Sequence, residues 1–249
     1  MKNRDKLDEL IGKLRWLRLP SMVQCVEELL DQSAKRNLST LEVLHRLCDE
    51  ESRGRLQRAV ERRIKAAGFP EINTVDAFDF SFSPCRKKLR ARFLALLELG
   101  FLARGINPLF LGVPGAGKTF LSRCLAYRAC QSQKRVVVIT AARMLNELSG
   151  AEIHGDLERK MRRYVKADLL VIDDFATLAM DQGQAKLAFE VISERYDHRR
   201  STSITTNRPF KDWTKVFPDA LNAQIIAERL TERAEVFSLE KGYRMAKRR

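Results

Sequence analysis

The segment Gly112-Val113-Pro114-Gly115-Ala116-Gly117-Lys118-Thr119 limits what this chain can fold into more than any other. It fits the pattern G-x-x-x-x-G-K-[ST], and its surroundings fit as well. Apolar residues 109–111 read as a strand before it, and Leu121, Leu125 and Ala126 give a helical stripe after it. The physics demands this order. Glycines let consecutive backbone N–H groups turn inward around an anion, and the helix that follows directs its positive end to the same point. Lys118 is then placed to neutralise the β- and γ-phosphates of ATP, and the Thr119 hydroxyl to ligate Mg2+.

The rest of the second half repeats the strand–helix alternation. Short apolar runs at 136–139, 169–172, 202–206 and 236–239 are separated by helical patterns, which predicts an α/β fold with a parallel sheet flanked by helices. The first half is different. Leu7, Leu10, Ile11, Leu14 and Leu17 recur at helical spacing up to a break at Pro20, and Met22, Val23, Val26, Leu29 and Leu30 form a second stripe. Ser39 with Glu42 reads as a capping box that opens a long helix, and Gly68-Phe69-Pro70 stops it. The expected organisation is a helical domain over 1–68, a linker over 69–85 and an α/β domain over 86–249. Phe69, Phe78, Phe80 and Phe82 serve as aromatic anchors in the linker, and one helix is expected over 86–103.

Three further segments carry chemistry. Leu169-Leu170-Val171-Ile172-Asp173-Asp174 is a buried strand ending in two carboxylates. Asp173 would hold Mg2+ through water, and Asp174 would polarise the attacking water or else cap a helix. Asn207, just past Ile204-Thr205-Thr206, would reach the γ-phosphate, or else serve the turn before Pro209. Arg229 and Arg233 are four apart and share a helix face. One of them is a candidate arginine finger for a neighbouring copy; the alternative is a salt-bridged helix with Glu228 and Glu232.

Charge points to the partner. With 46 Lys plus Arg against 32 Asp plus Glu, the 249-residue chain carries +14, which favours a polyanion. The candidate DNA contacts are Arg53, Arg55, Arg58, Arg62, Arg63 and Lys65 on one helical stretch, and Arg159, Lys160, Arg162, Arg163 and Lys166 before the carboxylate strand. A third cluster is Lys247-Arg248-Arg249. No zinc-finger, basic-zipper or RNA-recognition signature is present, so binding to DNA is expected to be largely independent of sequence. Membrane binding is not expected, because aromatics are not arranged on the basic faces. No apolar run approaches ~18 residues, and MKNRDKLDEL lacks a signal core. The five cysteines form no CxxC pair and the three histidines are scattered, which predicts free thiols, a cytoplasmic location and no transition-metal chemistry.

Taken together these residues resemble the IstB family, the AAA+ helper ATPases of IS21-type insertion sequences, in the clade of DnaC-type helicase loaders and DnaA-type initiators. The resemblance covers nearly the whole chain. It includes Arg18-Leu19-Pro20-Ser21-Met22, Lys65-Ala66-Ala67-Gly68-Phe69-Pro70, Phe78-Asp79-Phe80, the two nucleotide motifs, Thr206-Asn207-Arg208-Pro209-Phe210 with Trp213, Ala227-Glu228-Arg229-Leu230 and Gly242-Tyr243-Arg244. It implies a small helical domain followed by an AAA+ P-loop core with five parallel strands. It also implies ATP-driven homo-oligomerisation on duplex target DNA, recruitment or activation of a cognate transposase, and reset by hydrolysis. By motif position Asn207 falls at sensor 1 and Arg229 at the finger, with Arg233 second. Asp174 departs from the commoner Glu, which implies slow hydrolysis. The competing readings are a helicase loader, a small-molecule P-loop kinase and a scaffold that only binds ATP.

Overall fold

In a computed structural model of the chain, residues 2–240 are described. The Gly242-Tyr243-Arg244 segment and the basic cluster at 247–249 lie outside the described residues. The chain divides after Arg62 into two compact units.

The first unit is built from α1 (Lys2–Trp16), α2 (Pro20–Arg36) and α3 (Thr40–Ala67), the last turn of α3 belonging to the second unit. Pro20 sits at the first position of α2, where its missing N–H costs nothing. The expected capping box opens α3: Glu42 accepts from the Ser39 N–H at 2.8 Å, and the Ser39 hydroxyl accepts from the Glu42 N–H at 3.3 Å. Leu14, Val26, Val43 and Leu47 form a small core.

A buried carboxylate ties α2 to α3. Glu51 accepts the Ser21 N–H at 2.9 Å and the Met22 N–H at 3.3 Å, and its other oxygen accepts from Arg55 and Arg58, each at 3.0 Å. Burial pushes the Glu51 carboxyl up, but the Arg55 hydrogen bond, the two N–H donors and the Arg58 charge outweigh it, so it titrates below the ordinary glutamate range. Its contribution to stability is therefore present above the unfolded value of about 4.3 and is lost as pH falls through the folded one. Glu51→Gln is expected to destabilise this unit by about 2–4 kcal/mol at neutral pH. Urea unfolding followed by circular dichroism at neutral and at acid pH checks this: the gap between variant and wild type should narrow as pH falls below the unfolded value of about 4.3. An equal gap at both pH values contradicts the tie.

The second unit carries α4 (Pro84–Leu96), α5 (Gly100–Arg104), β1 (Asn107–Gly112), α6 (Lys118–Gln131), β2 (Val136–Thr140), α7 (Ala141–Ile153), α8 (Leu157–Val165), β3 (Leu169–Asp173), α9 (Gln182–Asp197), β4 (Ser201–Thr206), α10 (Ala220–Thr231) and β5 (Ala234–Leu239). All strand pairs are parallel, in the order β2-β3-β4-β1-β5. Strand alternation sends Leu109 to one face, with Met144, Leu148, Phe175 and Trp213, and Phe110 to the other, with Phe93, Leu121, Leu125 and Phe237. β3 is apolar up to its last residue because both its faces are covered.

Two expectations are corrected. Residues 69–85 are packed rather than linking: Phe78 is buried, its ring 5.5 Å from Phe120, and Phe80 lies 6.1 Å from Phe93. Two single-turn helices, Val75–Ala77 and Phe80–Phe82, carry these rings onto α4 and α6. The aromatic area buried explains why a stretch poor in helix signals is still fixed. The single helix expected over 86–103 is two helices, because buried Leu99 adopts φ +64° between them.

Candidate nucleotide-binding site

Strand order brings the chemistry together. β4 lies between β1, which feeds the Gly-rich loop, and β3, which ends in the carboxylates. The carboxyl ends of these three strands therefore meet at one edge of the sheet, where ligands bind in open α/β folds.

The loop at 112–119 turns on glycine at two demanding places. Gly112 has φ +149°, and a Cβ there would lie 2.0 Å from the Leu239 carbonyl oxygen of β5. Gly117 has φ +102°, and its Cβ would meet the Phe78 ring at 2.6 Å. Val113, Pro114, Gly115 and Ala116 complete the turn, closed by a 3.2 Å bond from the Ala116 N–H to the Val113 carbonyl. Lys118 is buried at the start of α6 and donates to the Val113 carbonyl at 3.1 Å. Burial holds its ammonium below the ordinary lysine range, opposed by the charges of Asp174 and Asp173.

Asp173 is the hub of the site. The Thr119 hydroxyl donates to its Oδ1 at 2.8 Å, and the Thr205 hydroxyl of β4 donates to the same oxygen. Arg123, one turn along α6, faces Oδ2 at 3.6 Å. The Thr205 oxygen in turn accepts the Asp174 N–H at 3.0 Å. Among the described residues no cluster of three or more His, Cys, Asp or Glu could hold a metal by itself. One hydroxyl and one carboxylate are nevertheless the hard oxygen set that Mg2+ accepts from a protein when phosphates supply the other ligands. Thr119 and Asp173 fit that ion.

Asp174 is exposed and adopts φ +55°, a left-handed turn that aspartate tolerates better than most residues. The turn lets Phe175 drop into the core against Trp213, 5.2 Å away, while the Asp174 side chain stays out. Asp174 caps no helix: α9 starts eight residues later, with Asp181 and Gln184 as its capping box. Partial burial, then the Asp173 charge, raise the Asp174 carboxyl, against Lys118 and Arg123. Asn207 is exposed just past β4, and its Oδ1 accepts from the Thr177 hydroxyl at 3.4 Å.

Beside the loop lies a cleft of about 240 Å³ lined by Ala77, Phe78, Asp79, Arg86, Lys118 and Phe120. The Arg86 guanidinium stacks on Phe78 and Phe82 and donates to the Ala116 carbonyl at 2.6 Å, which fastens the 78–82 segment to the phosphate loop. Thr205, Arg123 and Arg86 were not foreseen in the sequence. A Thr-Thr pair ending a buried strand is the only signal for the first; nothing local marks the two arginines.

Arg229 and Arg233 lie at the other edge of the sheet. The Asn107 N–H at the start of β1 donates to the Arg233 carbonyl, and the Asn107 side chain donates to the Leu230 carbonyl. Along β1 this is roughly 16 Å from Gly112, at about 3.3 Å per residue. The Arg229 guanidinium sits over Phe189 and Tyr196, and its buried Nη1 has no hydrogen-bond partner among the described residues. Arg233 stacks on Tyr196 at 4.8 Å and lies 3.7 Å from Glu232. One chain therefore does not bring these arginines to its own phosphate loop.

The basic candidates divide. Arg53 pairs with Glu50 at 2.7 Å, and Arg55 and Arg58 are spent on Glu51, Arg58 also donating to the Ser21 hydroxyl. Arg159 is held by both oxygens of Asp156, and Lys160 lies 4.0 Å from Glu147. Arg162 is 3.5 Å from Glu158 and Arg163 3.2 Å from Glu147. Among the described residues no ion pair reaches Arg62, Arg63, Lys65 or Lys166. The basic stretch expected to contact DNA on α3 is thus partly an internal tie.

Comparison with known proteins agrees with this geometry. The family profile of IstB-like ATP-binding proteins matches residues 12–249. A Bacillus thuringiensis subsp. berliner protein named for ATP binding in insertion sequence IS232 is 35% identical over 96% of this chain and 94% of its own length. A Pseudomonas aeruginosa protein so named for IS21 is 33% identical over 98% of this chain and 91% of its own length. Among solved structures, the DnaC helicase loader superposes with a TM-score of 0.58 at 17% identity, covering 72% of this chain and 98% of that one. Domain III of Thermotoga maritima DnaA gives 0.56 at 25% identity over 67% of this chain and 66% of that one. The fold is that of the AAA+ P-loop ATPases.

Proposed function

The chain belongs to the family of IstB-like ATP-binding proteins, and on that premise we propose that it is an ATP-dependent, DNA-binding transposition helper. ATP-bound copies assemble on duplex DNA with little sequence preference and recruit or activate a cognate transposase. Hydrolysis then resets the assembly. The observation that carries this reading is the division of the machinery: Thr119, Asp173 and Asn207 stand at one edge of the sheet, Arg229 and Arg233 at the other. A second copy has to supply the missing cation.

Mg2+, held by Thr119 and Asp173, would offset phosphate charge. The remaining roles belong to side chains. Lys118 binds the β- and γ-phosphates, Asn207 orients the attacking water and Asp174 takes its proton. Arg229 is assigned the finger over Arg233, because its Nη1 has no hydrogen-bond partner among the described residues whereas Glu232 engages Arg233. Arg229→Ala is expected to bind ATP as wild type does and to lose hydrolysis on DNA by about 10³-fold. Phosphate release with and without duplex DNA tests this. Normal hydrolysis on DNA overturns the finger.

The Asp174 assignment has a pH signature. A base works ionised, and a carboxyl raised by burial and by Asp173 keeps its proton to higher pH than a free aspartate at about 3.9. Hydrolysis is therefore expected to fall on the acid side from a pH above that value. Asp174→Asn should keep ATP binding, lose at least about 10²-fold in hydrolysis and show no such limb. A variant with wild-type rate and limb contradicts the role.

A further inference from the structure

The basic residues that the sequence scatters are gathered in one place. At the amino-terminal ends of β2 and β3 is a cleft of about 360 Å³. Its cationic lining is Arg63 from the last turn of α3, Arg135 at the start of β2, and Arg162, Arg163 and Lys166 from the end of α8. The rest of the lining is alanine and valine, and no carboxylate is part of it. Five cations from three separate segments repel one another, so their convergence is not what packing alone selects.

Three of them are paired with carboxylates that are not part of the lining. Asp168 lies 3.6 Å from Arg135, Glu158 3.5 Å from Arg162, and Glu147 3.2 Å from Arg163. A guanidinium carries five N–H donors, so these single contacts orient the side chains and leave donors over. No ion pair reaches Arg63 or Lys166 among the described residues. Oriented guanidinium forks beside an unpaired ammonium suit phosphate oxygens.

We propose that this cleft is a seat for the sugar–phosphate backbone of duplex DNA, a proposal that rests on the DNA-binding reading above and gives it a location. The lining also indicates the kind of contact. It has no aromatic ring on which a base or free nucleoside could stack, and no Asn or Gln to read base edges. Phosphates are what it can recognise, without sequence information. The cleft opens at the end of the strands away from the phosphate loop, so DNA and ATP occupy opposite edges of the sheet.

Salt dependence tests the seat directly. The full-length chain with ATP is titrated against a duplex fragment from about 50 to 300 mM salt. The triple variant Arg63→Gln/Arg162→Gln/Lys166→Gln should bind at least 10-fold more weakly at the low end. Its log–log slope should be shallower by about 2 to 3, since each phosphate contact contributes about 0.9. The control pair Lys186→Gln/Lys215→Gln, two exposed lysines outside the cleft and outside every basic cluster named above, should keep the wild-type slope. ATP binding and thermal melting of the triple variant should match wild type, which separates lost contacts from lost structure. Wild-type binding with an unchanged slope in the triple variant overturns the cleft alone. A wild-type chain that binds no duplex overturns the DNA-binding reading, and the cleft with it. Inorganic phosphate that displaces duplex at matched ionic strength, an effect lost in the triple variant, assigns the cleft to free phosphate and overturns the backbone.

Discussion

Replacing Lys118 by alanine is expected to weaken ATP binding by at least 10²-fold while the fold stays in place. The ammonium is buried at the head of α6, within the curl of the loop and tied to the Val113 carbonyl. Charge-assisted hydrogen bonds contribute about 1.5–3 kcal/mol each. Contacts to two phosphates therefore amount to about 3–6 kcal/mol, or two to four decades of affinity. Folding should not suffer, because burial already disfavours this charge and holds its pKa down. Titration with a fluorescent ATP analogue and a thermal melt give the two readouts. Affinity within threefold of wild type contradicts the placement of Lys118 at the phosphates.

The largest effect on stability is expected from Gly112→Ala. The new Cβ falls 2.0 Å from the Leu239 carbonyl oxygen and 2.8 Å from its carbon, both backbone atoms of the paired strand β5. No side-chain rotation relieves that contact, and φ +149° is itself unfavourable for alanine. Overpacking and backbone strain together cost about 3–6 kcal/mol. At about 2–4 °C per kcal/mol for a unit of this size, the melting point should drop by about 6–24 °C. ATP binding should fall with it, since the β1–β5 pairing carries the root of the phosphate loop. Gly150→Ala is the control, because nothing lies within 4 Å of its Cβ position. Equal melting points for the two variants contradict the close approach of β5.

Some of this molecule was readable along the chain and some was not. The phosphate loop, the carboxylates after β3 and the five strands were legible because each is a local pattern: a glycine spacing, an apolar run, a capping box. The 69–85 segment was misread because its order comes from contacts remote in sequence, with Phe78 on Phe120 and Arg86 on the Ala116 carbonyl. Thr205 looked like ordinary strand filler until β4 was placed beside β3, where its hydroxyl bridges Asp173 and Asp174. The basic stretch on α3 shows the converse error. Charge alone marked Arg55 and Arg58 for DNA, and only the fold shows both turned onto the buried Glu51. Arg63 and Lys166, a hundred positions apart, carry no shared signal in sequence and line one cleft.

The proposed roles, with Thr119, Asp173 and Asn207 at one edge of the sheet and Arg229 and Arg233 at the other, require a site completed only between copies. The mass of particles formed on a duplex DNA fragment, with ATP, with ADP and without nucleotide, tests that most directly, with single-stranded DNA of equal length as the comparison. The account predicts assemblies of many copies on duplex with ATP, and their absence with ADP or without nucleotide. Single copies in every condition, or assembly on single strands alone, would contradict it.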